Sequence, residues 1–234
     1  MAKPRHVPLK EAQPEDLVIV YFAGHGTARE NQFFLIPHDL GYDGSELISS
    51  DSVLNLIITH SISDRDLEGL FVNVDAGRLL LVIDACNSGQ ALEAEEKRRG
   101  PMNSKGLAQV AYEKGMYILA ASQSNAAALE VSELKHGLLT YVLIEEGLKQ
   151  AKAEKNSRGE IFERKWFNYA TKRVPELQID QMKRRRQGNQ GSNAELVFVE
   201  GDDVTTDPEK RKVQRPRVFY RRELEAQPLI VARH

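Results

Sequence analysis

The chain has one cysteine, Cys86, at a position where an apolar segment changes into polar residues. Leu79–Ile83 is wholly apolar, and Asn87, Ser88 and Gly89 follow the cysteine. A free cysteine is usually a small buried hydrophobic residue, but the exit of a strand offers little apolar material to bury a thiol. A thiol becomes a competent nucleophile near neutral pH when a base assists its deprotonation. Cys86 is therefore a candidate nucleophile.

The candidate base is His25, which stands between Gly24 and Gly26 and follows the apolar run Leu17–Phe22. A histidine between two glycines is commonly a solvated loop residue. Flanking glycines also let the backbone turn tightly and approach a ligand closely, which favours a functional role. If the two apolar runs are neighbouring parallel strands, their ends bring the imidazole close to the thiol of Cys86.

The elements that must position these residues are three short apolar runs, rich in β-branched or aromatic residues: Leu17–Phe22, Leu79–Ile83 and Met116–Ala121. Uniform apolarity without alternation predicts strands that are buried on both faces of a parallel sheet. Each run is followed by small or polar residues, and open α/β sheets place their chemistry at the carboxyl ends of strands. The sequence thus predicts an α/β fold with its site at that edge of the sheet.

The other segments predict helices around this sheet. Their ranges are Asp51–Thr59, Asp64–Ala76, His136–Ala151 and Ile161–Val174, the last ended by Pro175. Glu195–Glu200 predicts a further strand, and two charged loops cover residues 92–105 and 152–160. Past Gly201 the chain becomes polar and basic. We therefore expect a domain over residues 1–200 and a polar, basic tail or linker over residues 201–234.

Composition bounds the cellular setting and the partners. The 234 residues carry a formal net charge of −2, which gives no electrostatic reason to expect a nucleic acid or a membrane as partner. One cysteine permits no internal disulfide, so a reducing compartment is the natural setting. The sequence shows neither a signal-peptide pattern nor an apolar run of roughly 20 residues. We expect a soluble, cytoplasmic protein.

Two motifs in order resemble the paired signature of the caspase-like cysteine peptidases, the group of caspases, metacaspases and bacterial relatives. They are YFAGHG (Tyr21–Gly26) and IDACNSG (Ile83–Gly89), and their histidine and cysteine stand about 60 positions apart, compared with about 50 in caspases. Ala120–Leu148 resembles the segment after the cysteine in the bacterial-type members. The resemblance runs from about residue 14 to about residue 200. It implies a caspase-like sandwich, with a mostly parallel sheet flanked by helices.

The resemblance also implies a mechanism. Cys86 would attack the scissile carbonyl to give a thioester acyl-enzyme, and His25 would assist proton transfer to the leaving amine. The backbone N–H groups of Cys86 and Gly26 would form the oxyanion hole, which typically stabilises the transition state by a few kcal/mol. The chemistry needs no cofactor. Some metacaspases are calcium-dependent, but the acidic residues that a metal site would need are scattered here and are expected to be ordinary loop residues: Asp39, Asp43 and Asp51.

The substrate preference implied by the resemblance depends on the position two residues before the cysteine. Metacaspases have Asp there and prefer Arg or Lys at P1, and this chain has Asp84. A carboxylate in the pocket favours a guanidinium or an ammonium group through a charge-assisted hydrogen bond. Ser122 and Ser124 would line another wall of the pocket. The alternative role for Asp84 is that of a structural carboxylate that caps the following turn.

The charged loop after the cysteine contains a basic site at Lys97-Arg98-Arg99-Gly100. Loops at this place in the family are often cut during maturation, so self-cleavage after Arg98 or Arg99 is one hypothesis. The alternative is a solvated basic turn that is balanced by neighbouring glutamates, Glu93, Glu95 and Glu96.

The sequence departs from the family pattern at its front. The family's domain usually begins with two strands and a helix before the histidine strand, whereas 16 residues precede Leu17 here. Without those strands Leu17–Phe22 would be an exposed sheet edge, able to pair with a copy of itself. Two functions follow as alternatives. One is a cysteine endopeptidase acting on protein or peptide substrates, and the other is a weakly active or inactive caspase-like module for interaction or signalling.

Overall fold

The structure is a computed structural model, and it describes residues 9–29, 32–40, 50–87, 105–121, 137–188, 213–220 and 228–234. For Cys86 and Asn87 the description is limited to the backbone. A short 3₁₀ turn, Leu9–Glu11, precedes the first strand.

The centre of the fold is a pair of long parallel strands. β1 (Leu17–Arg29) pairs with β4 (Arg78–Asn87), and β4 pairs in parallel with β5 (Tyr117–Ala120). Each of these three strands overlaps one of the apolar runs that predicted a strand. β1 and β4 continue beyond those runs and stay paired through the glycine-rich and polar residues that follow, whereas β5 stays within its run.

Short antiparallel strands complete the sheet in the order β3-β2-β1-β4-β5-β7. They are β2 (Gln32–Ile36), β3 (Ile62–Ser63) and β7 (Arg217–Phe219). A separate two-stranded sheet joins β6 (Glu160–Phe162) to β8 (Ile230–Arg233). The mixed sheet with its parallel centre confirms the predicted α/β class.

Five α-helices and one π-helix flank the sheet in the described part of the chain. They are α1 (Ser50–His60), α2 (Asp64–Val72), α3 (Lys105–Lys114), α4 (Leu138–Tyr141), the π-helix Val142–Lys149 that continues it, and α5 (Glu163–Gly188). A capping box starts α2: the Ser63 hydroxyl accepts from the Asp66 N–H, and the Asp66 carboxylate accepts from the Ser63 N–H.

Alternate residues of β4 face two separate cores. Leu79, Leu81 and Ile83 pack with α2 and α3 on one face of the sheet. Leu80 and Val82 pack on the other face with α4, the π-helix and α5. Side chains alternate along a strand, so positions 84 and 86 belong to the second face.

The prediction that Pro175 ends a helix is wrong, because α5 continues through it to Gly188. A proline inside a helix removes one backbone hydrogen bond and costs about 3 kcal/mol. Packing on both sides offsets that cost: Val174 is buried before the proline. Three residues after the proline, the side-chain oxygen of Gln178 accepts a hydrogen bond from the Gln214 N–H at 2.6 Å.

Residues 201–234 are expected from the sequence to form a polar tail or linker, but the structure shows two strands in this part of the chain. Two segments beyond residue 201 pair with the sheets: β7 lies antiparallel to β5, and β8 lies antiparallel to β6. Sequence polarity could not reveal this, because both strands are short and their partners are distant in the chain. The strand predicted at Glu195–Glu200 lies outside the described residues.

Candidate active site

The register of the central strands brings the two candidate catalytic residues together. The pairing of β1 with β4 places His25 directly opposite Cys86. Paired residues of neighbouring parallel strands share one face of the sheet, with their backbones about 4.8 Å apart. Both residues lie within strands, whereas the sequence placed them after the strand ends. His25 is exposed to solvent.

A hairpin that the sequence analysis missed extends β1 through the histidine. β2 pairs antiparallel with the second half of β1, from His25↔Ile36 to Arg29↔Gln32. Gly26 is therefore flanked by strands on both sides. A Cβ at Gly26 would lie 2.8 Å from Phe33 Cζ and 3.3 Å from the Ala85 Cβ. A side chain here would displace the buried ring of Phe33, so close packing alone favours a glycine, and the predicted donor role of its N–H stays a prediction.

Asp84 lies on the same face as the two candidate catalytic residues, in register with Ala23. It is only 8% exposed. Its Oδ2 accepts the backbone N–H of Thr140 at 3.0 Å and also the Thr140 hydroxyl. Burial raises the pKa of the Asp84 carboxyl, while the two hydrogen bonds from Thr140 act in the opposite direction.

These bonds make Asp84 the cap of a helix. Thr140 is the third residue of α4, whose N-cap, Gly137, makes no side-chain capping bond. The carboxylate of the neighbouring strand satisfies an N–H that the helix itself leaves open. Asp84 therefore has a structural role, as the alternative interpretation of the sequence proposed. The element that it caps is α4, and not the turn that follows Asp84 in the chain.

Gly137 and Tyr21 complete the surroundings of this carboxylate. A Cβ at Gly137 would lie 2.6 Å from Asp84 Oδ2, so only glycine lets the helix begin against the carboxylate. The Tyr21 hydroxyl is hydrogen-bonded to the Thr140 hydroxyl. Burial raises the pKa of Tyr21; the bond with Thr140 lowers it, and the nearby charge of Asp84 raises it again.

Sequence reasoning missed Thr140 and Tyr21 as parts of the site. The signal that could have found Thr140 is the pattern of a glycine and a threonine three residues later, at the start of a predicted helix. For Tyr21 the signal is the period-two alternation of a strand, which puts it on the same face as His25. Of the other predicted residues, four lie outside the described part of the chain: Ser122, Ser124, Arg98 and Arg99.

The described residues contain neither a metal-ligand cluster nor a membrane-spanning helix. In that part of the chain no three His, Cys, Asp or Glu side chains are grouped so as to hold a metal ion. Among the described helices, none is both long and apolar enough to cross a bilayer.

The arrangement supports nucleophilic chemistry on one face of the sheet. A thiol-bearing position lies beside an exposed imidazole, and a buried carboxylate lies two residues before it on the same strand face. In a comparison with protein families, a model described as the caspase domain matches residues 5–187. No curated protein matches the chain.

Proposed function

Because the chain belongs to the caspase-domain family of cysteine peptidases, we propose that it is an endopeptidase with Cys86 as nucleophile and His25 as acid and base. The observation that carries the proposal is the pairing of His25 with Cys86 across β1 and β4, on one face of the sheet. No loop movement is needed to bring the two backbones together, because the sheet holds them in register.

The proposed reaction has two steps. The Cys86 thiolate adds to the scissile carbonyl, the C–N bond breaks, and the amine leaves with a proton supplied by His25. Water, deprotonated by His25, then cleaves the thioester and releases the carboxylic acid and the thiol. The backbone N–H groups of Gly26 and Cys86 would stabilise the oxyanion of each tetrahedral intermediate. This chemistry requires no cofactor.

We place the P1 preference at Arg or Lys. The support is the carboxylate of Asp84, which lies on the catalytic face and has little access to solvent. A charge-assisted hydrogen bond to a carboxylate is strongest away from water, so a basic P1 side chain gains more here than at a solvated carboxylate. An acidic P1 side chain would be repelled. The proposed substrates are accordingly proteins or peptides with exposed basic residues. We also propose that the enzyme acts in the cytoplasm.

A panel of fluorogenic peptides with Arg, Lys or Asp at P1 tests this function. We expect turnover of the Arg and Lys peptides, no turnover of the Asp peptide, and a loss of at least about 1,000-fold in Cys86→Ala and His25→Ala. His60→Ala is the matched control, since His60 is an exposed histidine at the end of α1. Turnover that survives in Cys86→Ala would refute the proposed nucleophile.

Self-cleavage after Arg98 or Arg99 follows if the charged loop reaches the site of the same or another copy. Intact-mass measurement of the purified wild type should show two fragments with a break at one of these residues, and Cys86→Ala should show one full-length species. A single identical species in both proteins contradicts the hypothesis.

The second candidate function is a non-catalytic caspase-like module. Two observations favour it: Asp84 already serves as a helix cap, and Leu17–Gly24 of β1 pairs with β4 alone among the described strands. A folded protein that cleaves none of the peptides, yet associates through that strand edge, would support the module over the peptidase.

A further inference from the structure

Thr140 connects the carboxylate of Asp84 to the hydroxyl of Tyr21. An ionised carboxylate only accepts hydrogen bonds, so the Thr140 hydroxyl must donate to Asp84 Oδ2. The Thr140 oxygen then accepts from the Tyr21 hydroxyl. The direction of both bonds is thus set by chemistry: Tyr21 donates to Thr140, and Thr140 donates to Asp84.

The two donors of Thr140, its N–H and its hydroxyl, both reach the same carboxylate oxygen, Oδ2. Among the described residues, none donates to Oδ1. Each carboxylate oxygen accepts about two hydrogen bonds. Oδ2 is therefore filled by Thr140, and a cation that enters beside Asp84 meets Oδ1 as the oxygen to which no described residue donates.

This asymmetry matters for the choice between the two basic side chains. A guanidinium gains its advantage over an ammonium group by donating two parallel bonds to both oxygens of a carboxylate. With one oxygen filled, that two-point contact is lost, whereas the point charge of an ammonium group binds a single oxygen equally well.

From this geometry we infer that Thr140 is a positioning residue for substrate selection: by filling Oδ2 of Asp84, it keeps Lys and Arg nearly equivalent at P1. The inference rests on the proposed basic P1 preference. In this inference Thr140 acts on substrate choice, and the Tyr21 hydroxyl supports Thr140 through its hydrogen bond. Both roles depend on the packing of α4 against the sheet face that carries Asp84.

The test compares kcat/KM for matched peptides with Arg and Lys at P1. The wild-type ratio of Arg to Lys should lie within about threefold of one. Thr140→Val keeps the capping N–H, removes the hydroxyl donor and should raise the ratio about fivefold, because one position on Oδ2 becomes free. Thr140→Ser restores the hydroxyl and should restore the wild-type ratio. A ratio that is unchanged in Thr140→Val, or shifted equally in Thr140→Ser, overturns the inference.

A second variant covers the case in which Thr140→Val does not fold. Thr140→Ala also removes the hydroxyl donor and keeps the backbone N–H, so it should raise the ratio in the same direction. If circular dichroism shows Thr140→Val unfolded, an unchanged ratio in Thr140→Ala decides against the inference.

Binding separates this inference from the proposed catalysis. In the Cys86→Ala background, calorimetric titration with peptides that end in Arg or Lys amide measures P1 preference without turnover. The Thr140→Val change should favour the Arg peptide there as well. Wild type that hydrolyses no peptide refutes the catalytic proposal, while the binding ratio still tests Thr140. Absence of binding by either peptide overturns the inference.

Discussion

At the scale of single residues, the site depends on a glycine as much as on its reactive groups. Gly137 begins α4 against the Asp84 carboxylate, which two hydrogen bonds from Thr140 hold in place. A carboxylate so held cannot yield to a new methyl group without losing its bonds to the helix. The glycine therefore lets one carboxylate cap a helix and lie on the sheet face that carries His25 and Cys86.

Gly137→Ala should destabilise the fold and displace the Asp84 carboxylate together. Its Cβ would lie 2.6 Å from Asp84 Oδ2, and overpacking of this kind costs about 1–3 kcal/mol. Urea denaturation measures the loss, and turnover of the Arg and Lys peptides should fall with it. Gly69→Ala is the control, because a Cβ at this position of α2 meets no atom within 4 Å. That variant should gain up to about 1 kcal/mol. Equal stability changes in the two variants would contradict the argument.

At the scale of elements, prediction from the sequence succeeded where local signals were strong. The three apolar runs and the amphipathic segment His136–Ala151 predicted central strands and a helix, and the structure contains them. The same segment is a π-helix over Val142–Lys149, which periodicity does not distinguish from an α-helix. Short strands such as β2 and β7 escaped prediction, because distant pairing partners, and not composition, make them strands.

A buried carboxylate of the π-helix, that of Glu146, forms hydrogen bonds with side chains of α5. Glu146 is 3% exposed. Its carboxylate accepts from Arg173 Nε at 2.7 Å, from the Tyr169 hydroxyl at 3.0 Å and from Lys152 Nζ at 3.1 Å. Burial opposes ionisation of this group, but the hydrogen bonds and the charge of Arg173 outweigh it and lower the pKa of Glu146 to about 2.

This buried acid predicts a loss of stability in acid. A pKa lower in the folded than in the unfolded protein stabilises the fold at pH values above the unfolded pKa of about 4.3, and that contribution disappears as the pH falls towards 2. Its size is up to about 3 kcal/mol. Urea denaturation from pH 6 to pH 3 should show the decline. Glu146→Gln should be less stable at pH 6 and should lack this part of the decline. Parallel pH curves for the two proteins would exclude the mechanism.

At the scale of the whole molecule, the candidate site was predictable only in part. Each of the two motifs contains one candidate catalytic residue, and neighbouring parallel strands place such residues side by side, so His25 and Cys86 could be proposed from sequence. The bond between Asp84 and Thr140 joins residues 56 positions apart. Only the packing of α4 on the sheet creates this bond, and no local sequence pattern shows that two residues so far apart in the chain are in contact.

Within the described part of the chain, the strand that carries His25 also has an edge without a partner strand. Leu17–Gly24 pairs with β4 alone among the described strands, and an apolar side chain on its face, Ile19, is 52% exposed. An unpaired edge with apolar side chains is a template for pairing with a further strand. A second copy of this chain offers the same edge, and two such edges can pair antiparallel about a two-fold axis.

Sedimentation velocity over a range of concentrations tests that association. We expect the wild type to dimerise as its concentration rises, and Ile19→Lys to remain monomeric, because a charge on an edge strand opposes strand pairing. The matched control is Leu70→Lys, since Leu70 is 40% exposed and the substitution adds the same charge on helix α2 instead of on β1. Loss of the dimer in both variants would point to net charge as the cause, and a dimer that persists in Ile19→Lys would place the interface elsewhere.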